Sequence, residues 1–259
     1  LREPADLALD PNGRVIVADP LGHRVWRLDP ESGAAEVIAG SGETGTSPDG
    51  VLAPGAPLAS PHGVAVDVDG TIFVSESRGA RVRTIGPDGI LGTAAGTGEI
   101  GFSGDGGPAT SAQLDFPLGL DRAGTSLYIA DAGNHRIRVV DLLTGTIRTL
   151  AGSGQAGFAG DGGPAVEASL RQPNDVAGSE DGTRIYIADT FNQRIRLVRQ
   201  PSGTIETLAG TGEQEFSGEL FEAGATSLSE PRGVATSPFG LLFIGDPGHT
   251  VAWRVALDL

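Results

Sequence analysis

The residues of this 259-residue chain that could do chemistry recur at regular spacing. Five acids, Asp19, Glu76, Asp131, Asp189 and Asp246, each follow a proline (Pro4, Pro61, Pro117, Pro173, Pro231) by 14 to 16 residues. A carboxylate there could hold a cation or move a proton. Its return at the start of every turn instead predicts a structural role, accepting backbone N–H bonds from residues two or three further on. Asn134 and Asn192 in the same turn read the same way. Arg24, Arg81, Arg136 and Arg194 recur as well and read as partners of a neighbouring unit's carboxylate. A second acid series, Asp49, Asp105, Asp161 and Glu219, runs ahead of a short helical turn. There a carboxylate would cap N–H groups and suit the helix dipole. The competing reading is a calcium site, which one carboxylate per loop without D-x-D spacing does not define.

Histidines are four: His23, His62, His135 and His249. Three of them, His23, His135 and His249, read as equivalent turn positions in separate units. A catalytic zinc needs about three converging protein ligands, and this chain supplies no such set. The expectation is therefore no cofactor, with calcium or zinc as the alternative. No catalytic residue is assigned. The absence of cysteine excludes thiol nucleophiles, disulfides and thiolate metal sites. All 18 basic residues are arginine, so a lysine Schiff base is excluded too. G-x-S-x-G, Walker and H-E-x-x-H motifs are also missing.

The chemistry that varies lies immediately after each proline: Ala5-Asp6, His62-Gly63, Leu118-Gly119, Asn174-Asp175 and Arg232-Gly233. A pure scaffold would repeat one residue there. Asp6, His62, Asn174, Asp175 and Arg232 are accordingly the candidate ligand-binding set, expected to ring the mouth of a central channel. A hydrated mouth without a ligand is the competing reading.

These residues must be positioned by the repeat itself. The prolines lie 57, 56, 56 and 58 residues apart, and a steady period above 40 residues means a propeller or an array. Each unit holds two short apolar runs split by a turn such as Asn12-Gly13, Asp69-Gly70 or Asp181-Gly182, read as a hairpin. A third run follows the acid (HRVWRL, ARVRTI, HRIRVV, QRIRLV), and a fourth follows a glycine turn (GTIRTLAG, GTIETLAG). Four short antiparallel strands per unit make the blade of an all-β propeller. The blades are expected at about 1–58, 59–114, 115–170, 171–228 and 229–259 of a single domain. The last stops after its third strand, VAWRVAL, so the alternative is part of a six-bladed propeller. Blade three is two residues short before its second strand, which predicts a truncated or bulged inner strand. Linkers such as SGQAGFAGDGGPAVEASLRQ precede the prolines, and PATSAQL and PAVEASL read as one or two helical turns. Topology places the linkers and the acid-bearing turns on one face, the face whose loops carry function.

The runs P-x-G-V-A-V-D, L-Y-I-A-D, N-H-R-I-R and T-G-x-I-x-T-L-A-G-x-G resemble the NHL repeat over essentially the whole chain. The GDGGPA linker resembles the long form of bacterial secreted and teneurin-like surface proteins. The resemblance implies a propeller that acts as a binding platform and an extracellular, cell-surface or periplasmic location. It also includes a minority of metal-dependent lyases, whose histidine set this chain does not match. The net charge of −15 opposes phosphate-backbone binding, so no nucleic-acid partner is expected. No apolar run reaches the roughly 18 residues of a membrane span. The expected function is a non-catalytic scaffold for a protein or glycan. The alternatives are an assembly unit that adds a strand at its last blade, and a lyase- or lactonase-like metal enzyme.

Overall fold

The structure is a computed structural model that describes residues 1–214, 223–237 and 239–256. It is all-β, a propeller of five antiparallel blades. Blade one runs β1 (Asp6–Leu9), β2 (Val15–Asp19), β3 (Arg24–Leu28), β4 (Ala35–Ala39), and blade two β5 (Pro61–Val66), β6 (Ile72–Glu76), β7 (Arg81–Ile85), β8 (Leu91–Ala95). Blade three comprises β9 (Pro117–Ala123), β10 (Ser126–Asp131), β11 (Arg136–Asp141) and β12 (Thr146–Ala151). Blade four comprises β13 (Asp175–Gly178), β14 (Arg184–Asp189), β15 (Arg194–Arg199) and β16 (Thr204–Ala209). The fifth has three strands among the described residues: β17 (Gly233–Thr236), β18 (Leu241–Asp246) and β19 (Val251–Ala256). Within each sheet, sequence neighbours pair in order, as the hairpin turns dictate.

Blade three departs from expectation. Its inner strand β9 is the longest of the five, and the two-residue deletion falls on the turn, leaving only Gly124-Thr125 between β9 and β10. A turn can shorten without disturbing the side-chain alternation that the buried strand must keep. The helical turns also shrink, to single 3-10 turns at Ala109–Ser111 and Ala165–Glu167.

Contacts divide the chain into two compact units, residues 1–122 with 140–147 and residues 123–139 with 148–259. In the first, Ile16, Ala18 and Val25 of blade one meet Val64, Ile72 and Val74 of blade two. In the second, Ile137 and Val139 meet Val176, Ile185 and Ile187, while Tyr186, Ile195 and Leu197 meet Val234, Leu242 and Ile244. Alternate strand residues point to opposite faces, so a blade flanked on both sides is apolar on both. The linker ends fill the seams with alanines and a leucine: Ala53, Ala56 and Leu58 in one unit, Ala165, Ala168 and Leu170 in the other.

Equivalent apolar positions differ in exposure between blades. Leu7 is 65% exposed, whereas Val64, Leu120, Val176 and Val234 in the same repeat position are 6% or less. Phe243 on β18 is 42% exposed, whereas the equivalent Tyr186 is fully buried.

Strand pairing slips by one residue at the same place in blades one, two and four, between Val25/Trp26, Val82/Arg83 and Ile195/Arg196. A bulge turns a strand and re-aims its side chains. Here it sits at the residue that proves central to the linker end of the blade.

Candidate functional site

The repeated acid closes each strand-two end. Glu76 accepts the Ala59 N–H at 2.7 Å and Asp189 the Arg171 N–H at 2.8 Å. Asp246 accepts the Ser229 N–H at 2.8 Å, and Asp19 those of Arg2 and Glu3. Each of these acids is 1% exposed or less. The partners lie mostly 17 or 18 residues upstream, at the end of the linker. Asp19 also makes the expected local turn bond, accepting the Gly22 N–H at 3.1 Å. The acid thus staples the linker to the strand-two/strand-three turn, and both long loops share one end of the blade. Burial pushes the Asp189 carboxyl up, opposed by Asn192, the Arg171 N–H and Arg196.

The second acid series is not a set of helix caps. The 3-10 turns carry no side-chain cap bond, and Pro108 and Pro164 occupy their cap positions. Asp49 instead pairs with the Arg83 guanidinium at 2.9 Å and accepts the Thr93 hydroxyl. Asp161 does the same with Arg196 and Thr207. Both arginines have fully buried side chains, each between one linker acid and one strand-two acid (Glu76 at 3.3 Å, Asp189 at 3.2 Å). A buried guanidinium needs such compensation. In blades one and five the same strand position carries Trp26 and Trp253, and Trp253 Nε1 donates to Asp246 at 3.1 Å. Glu219 lies outside the described residues.

The other arginine series also departs from expectation. Arg24, Arg81, Arg136 and Arg194 donate to backbone carbonyls, those of Ser41, Thr97, Ser153 and Thr211, at 2.6–3.0 Å. They bind the start of the next linker.

The turn histidines are not equivalent. The left-handed position of the turn holds His23, Ala80, His135, Gln193 and Thr250, with φ between 48° and 60°. His249 stands one residue earlier, in the asparagine position. Where Asn134 and Asn192 donate to their acids at 2.9 and 2.8 Å, His249 Nδ1 meets Asp246 at 2.8 Å. Its Nε2 meets the Gln214 carbonyl at 2.8 Å, and although burial opposes the charge, these two oxygens hold the imidazole above its usual pKa. His135 Nδ1 accepts the Gln172 N–H and Gln193 Oε1 the Glu230 N–H, so this position stitches one blade to the next within the second unit.

The inner-strand set divides by repeat position. Asp6 and Asp175 share one position; His62, Asn174 and Arg232 share the one before it. Asp6 accepts the Val64 N–H of the next inner strand at 2.9 Å, and Asp175 accepts that of Val234 at 2.8 Å. Where the position is Gly63, the next strand closes in directly. A Cβ there would overlap the Leu118 carbonyl, and Ser75 Oγ bridges the Gly63 N–H and the Leu118 oxygen at 2.7 and 2.6 Å. Asp6 is half-buried, and burial pushes its carboxyl up to about 7 against the Val64 and Leu7 N–H groups, with the Asp121 charge adding to the rise. Asp121, at the far end of an inner strand, was no sequence candidate; only tertiary packing sets its charge against Asp6. In the second unit Arg232 is exposed and pairs with Glu230 at 2.8 Å, and the Asn174 N–H donates to the Ala188 carbonyl at 3.0 Å. Asp6 and His62 belong to the first unit, Asn174, Asp175 and Arg232 to the second.

A polar cleft of about 400 Å³ opens at the linker end of the first unit, lined by Ser47, Pro48, Asp49, Arg81, Thr93, Gly96, Thr97 and Thr110. Among the described residues no three His, Asp or Glu side chains converge as metal ligands. No described helix is long and apolar enough to cross a membrane.

Comparison with known proteins agrees with the repeat geometry. The NHL repeat family matches residues 1–28 and 58–85, the β1–β3 and β5–β7 segments. The chain is 28% identical over 223 residues to NHL repeat-containing protein 2 of Bos taurus, covering 79% of this chain and 30% of that protein. It is 27% identical to teneurin-3 of Mus musculus, covering 94% of this chain and 10% of that one. It therefore spans less than a third of either relative. Among solved structures, an auxiliary nutrient binding protein from Bacteroides ovatus superimposes with a TM-score of 0.70 at 18% identity, over 99% of this chain and 60% of that one. The period, the stapled four-stranded blades and these matches together place the chain in the NHL-repeat β-propeller family.

Proposed function

We propose that the chain is a binding module, extracellular or surface-exposed, that presents the linker end of its blades to a protein or glycan. The observation that carries this reading is a division of labour. The recurring acids, arginines and asparagines are consumed in stapling loops to strands, while residues that differ between blades (His62, Asn174, Arg232) directly follow the linkers in sequence, and a cleft bordered by Arg81 opens at the linker end of the first unit. Loops held by a rigid scaffold are where binding residues concentrate. Teneurin-3 and the nutrient binding protein are compatible with such a role and location.

The test is a screen of the intact chain on glycan and peptide arrays, repeated with His62→Ala, Asn174→Ala and Arg232→Ala combined. Binding is expected to weaken at least about tenfold, roughly 1.4 kcal/mol. Glu36→Ala with Glu206→Ala, on the outer strands, should leave it unchanged. Equal loss from both sets, or none from the first, overturns the reading.

A second reading, assembly through an uncovered face, is favoured by the exposure of Leu7 and Leu9, 65% and 64%. Apolar faces of this kind mark association sites. Light scattering should show concentration-dependent association that Leu7→Ser with Leu9→Ser abolishes; a wild-type monomer at every concentration rules it out.

A further inference from the structure

The cleft beside Arg81 has an internal template in blade four, where the corresponding arginine is covered by the chain itself. The two sites share a frame. Asp49 pairs with Arg83 and accepts Thr93; Asp161 pairs with Arg196 and accepts Thr207. Arg81 donates to the Thr97 carbonyl and Arg194 to that of Thr211, both at 2.7 Å. Gly50 N–H donates to the Leu91 carbonyl and Gly162 N–H to that of Ile205, both at 2.8 Å. Gly98 backs the Arg81 guanidinium as Gly212 backs that of Arg194, each so close that a Cβ would collide with it.

The difference lies three residues before the shared aspartate. In blade four that residue is Phe158, whose ring centre lies 3.8 Å from Arg194 Cζ and 4.9 Å from Arg196 Cζ. In the linker leading to blade two it is Thr46, a small exposed side chain. Pro48 also replaces Gly160, whose φ of 96° a proline cannot adopt, so this linker takes another path to its aspartate. Both changes remove the aromatic cover, and the cleft opens there, bordered by Arg81, Asp49, Thr93, Thr97 and Thr110.

We propose that this cleft takes an aromatic side chain presented by another polypeptide, seated on the Arg81 guanidinium as Phe158 is seated on Arg194. The chain demonstrates that the frame accepts such a ring. A guanidinium under an aromatic face is attracted by the ring quadrupole, more strongly the more it is desolvated. The Thr93, Thr97 and Thr110 hydroxyls and the Asp49 carboxylate lie beside it to receive peptide N–H groups or a tyrosine hydroxyl. The proposal rests on the binding-module reading and names one of its sites.

The experiment is an NMR titration of the intact chain with N-acetyl-phenylalanine amide, following the Arg81 Nε–H and the Thr93 and Thr97 amides. N-acetyl-leucine amide is the apolar control. Saturable shifts confined to the cleft are expected with the aromatic amide, in the millimolar range that so small a ligand permits. The leucine amide and the Arg81→Gln variant should each show at least about fivefold weaker binding, roughly 1 kcal/mol. Thr46→Phe should compete with the ligand by refilling the cleft. If that variant misfolds, the Arg81→Gln arm decides alone. No shift at Arg81 at ligand saturation of the solvent, or equal affinity for the leucine amide, overturns the proposal. The array result stands apart: loop-face binding that persists while the aromatic amide fails to bind removes this site and leaves the binding-module reading intact.

Discussion

Replacing Arg196 by alanine is expected to lower the free energy of unfolding by about 3–5 kcal/mol. Its side chain is fully buried between Asp189, also fully buried, and Asp161, whose side chain is 39% exposed. Truncation leaves the Asp189 charge in the interior with only the Arg171 N–H and Asn192 as partners. It also opens a cavity the size of a guanidinium, at the bulge where β15 turns onto β16. Losing half of a buried pair is far costlier than losing an exposed one. Asp161→Ala, which removes the more solvated partner, should therefore cost much less, about 1 kcal/mol. The chain suggests a rescue. At the same strand position Trp253 offers an indole N–H to Asp246, so Arg196→Trp, which restores one donor and fills the space, should recover part of the loss. Urea denaturation of the three variants at one pH checks the order. A loss below about 1 kcal/mol for Arg196→Ala would show that the pair contributes little.

The second large effect is a pH dependence centred on Asp6. Burial raises its carboxyl to about 7, and the Asp121 charge adds to the rise. The unfolded chain binds that proton only below about pH 4. Between these values the folded state holds more protons than the unfolded one, so stability falls as pH rises. The contribution is fully present below about pH 4 and gone above about 7. Over that window it amounts to roughly 3–4 kcal/mol, an upper figure because Asp6 and Asp121 titrate together. Asp6→Asn removes the titration and leaves one oxygen for the two N–H groups, Leu7 and Val64, that the carboxylate serves. The variant should be more stable than wild type at pH 8 and equal or slightly weaker at pH 4.5. The difference between the two proteins cancels the other carboxylates. A difference that does not change between these pH values would mean that Asp6 is solvated like a surface acid.

The particular residues show how far sequence reading reached. The acids at the strand-two ends were recognisable as structural from recurrence alone, and they are. Their partners were not recognisable. A turn acid has an obvious local donor two or three residues on, and Asp19 uses it. Glu76, Asp189 and Asp246 reach 17 or 18 residues back to the linker, because there the linker crosses the strand end and its N–H groups would otherwise be buried without a partner. His249 was assigned to the wrong turn position because blade five has Asp246-Pro247-Gly248 before it, one residue short of the Asp-x-x-x-His spacing of His23 and His135. The backbone settles the matter by placing Thr250 at φ 60°.

The amino-acid sequence by itself determined the repeat, the four-strand blade and the hairpin turns. All of these follow from period, apolar alternation and turn residues, which act over a few neighbouring positions. Tertiary structure alone decided which charges meet. Arg83 and Asp49 are 34 residues apart, Arg196 and Asp161 35, and each pair forms only once a linker has folded back over the next blade. The same packing ties Asp6 to the next inner strand and leaves Arg81 uncovered where Arg194 lies under Phe158. Burial makes the difference: a charge in a dry seam must be matched by whatever group the neighbouring blade brings to it, and spacing along one repeat does not encode that group.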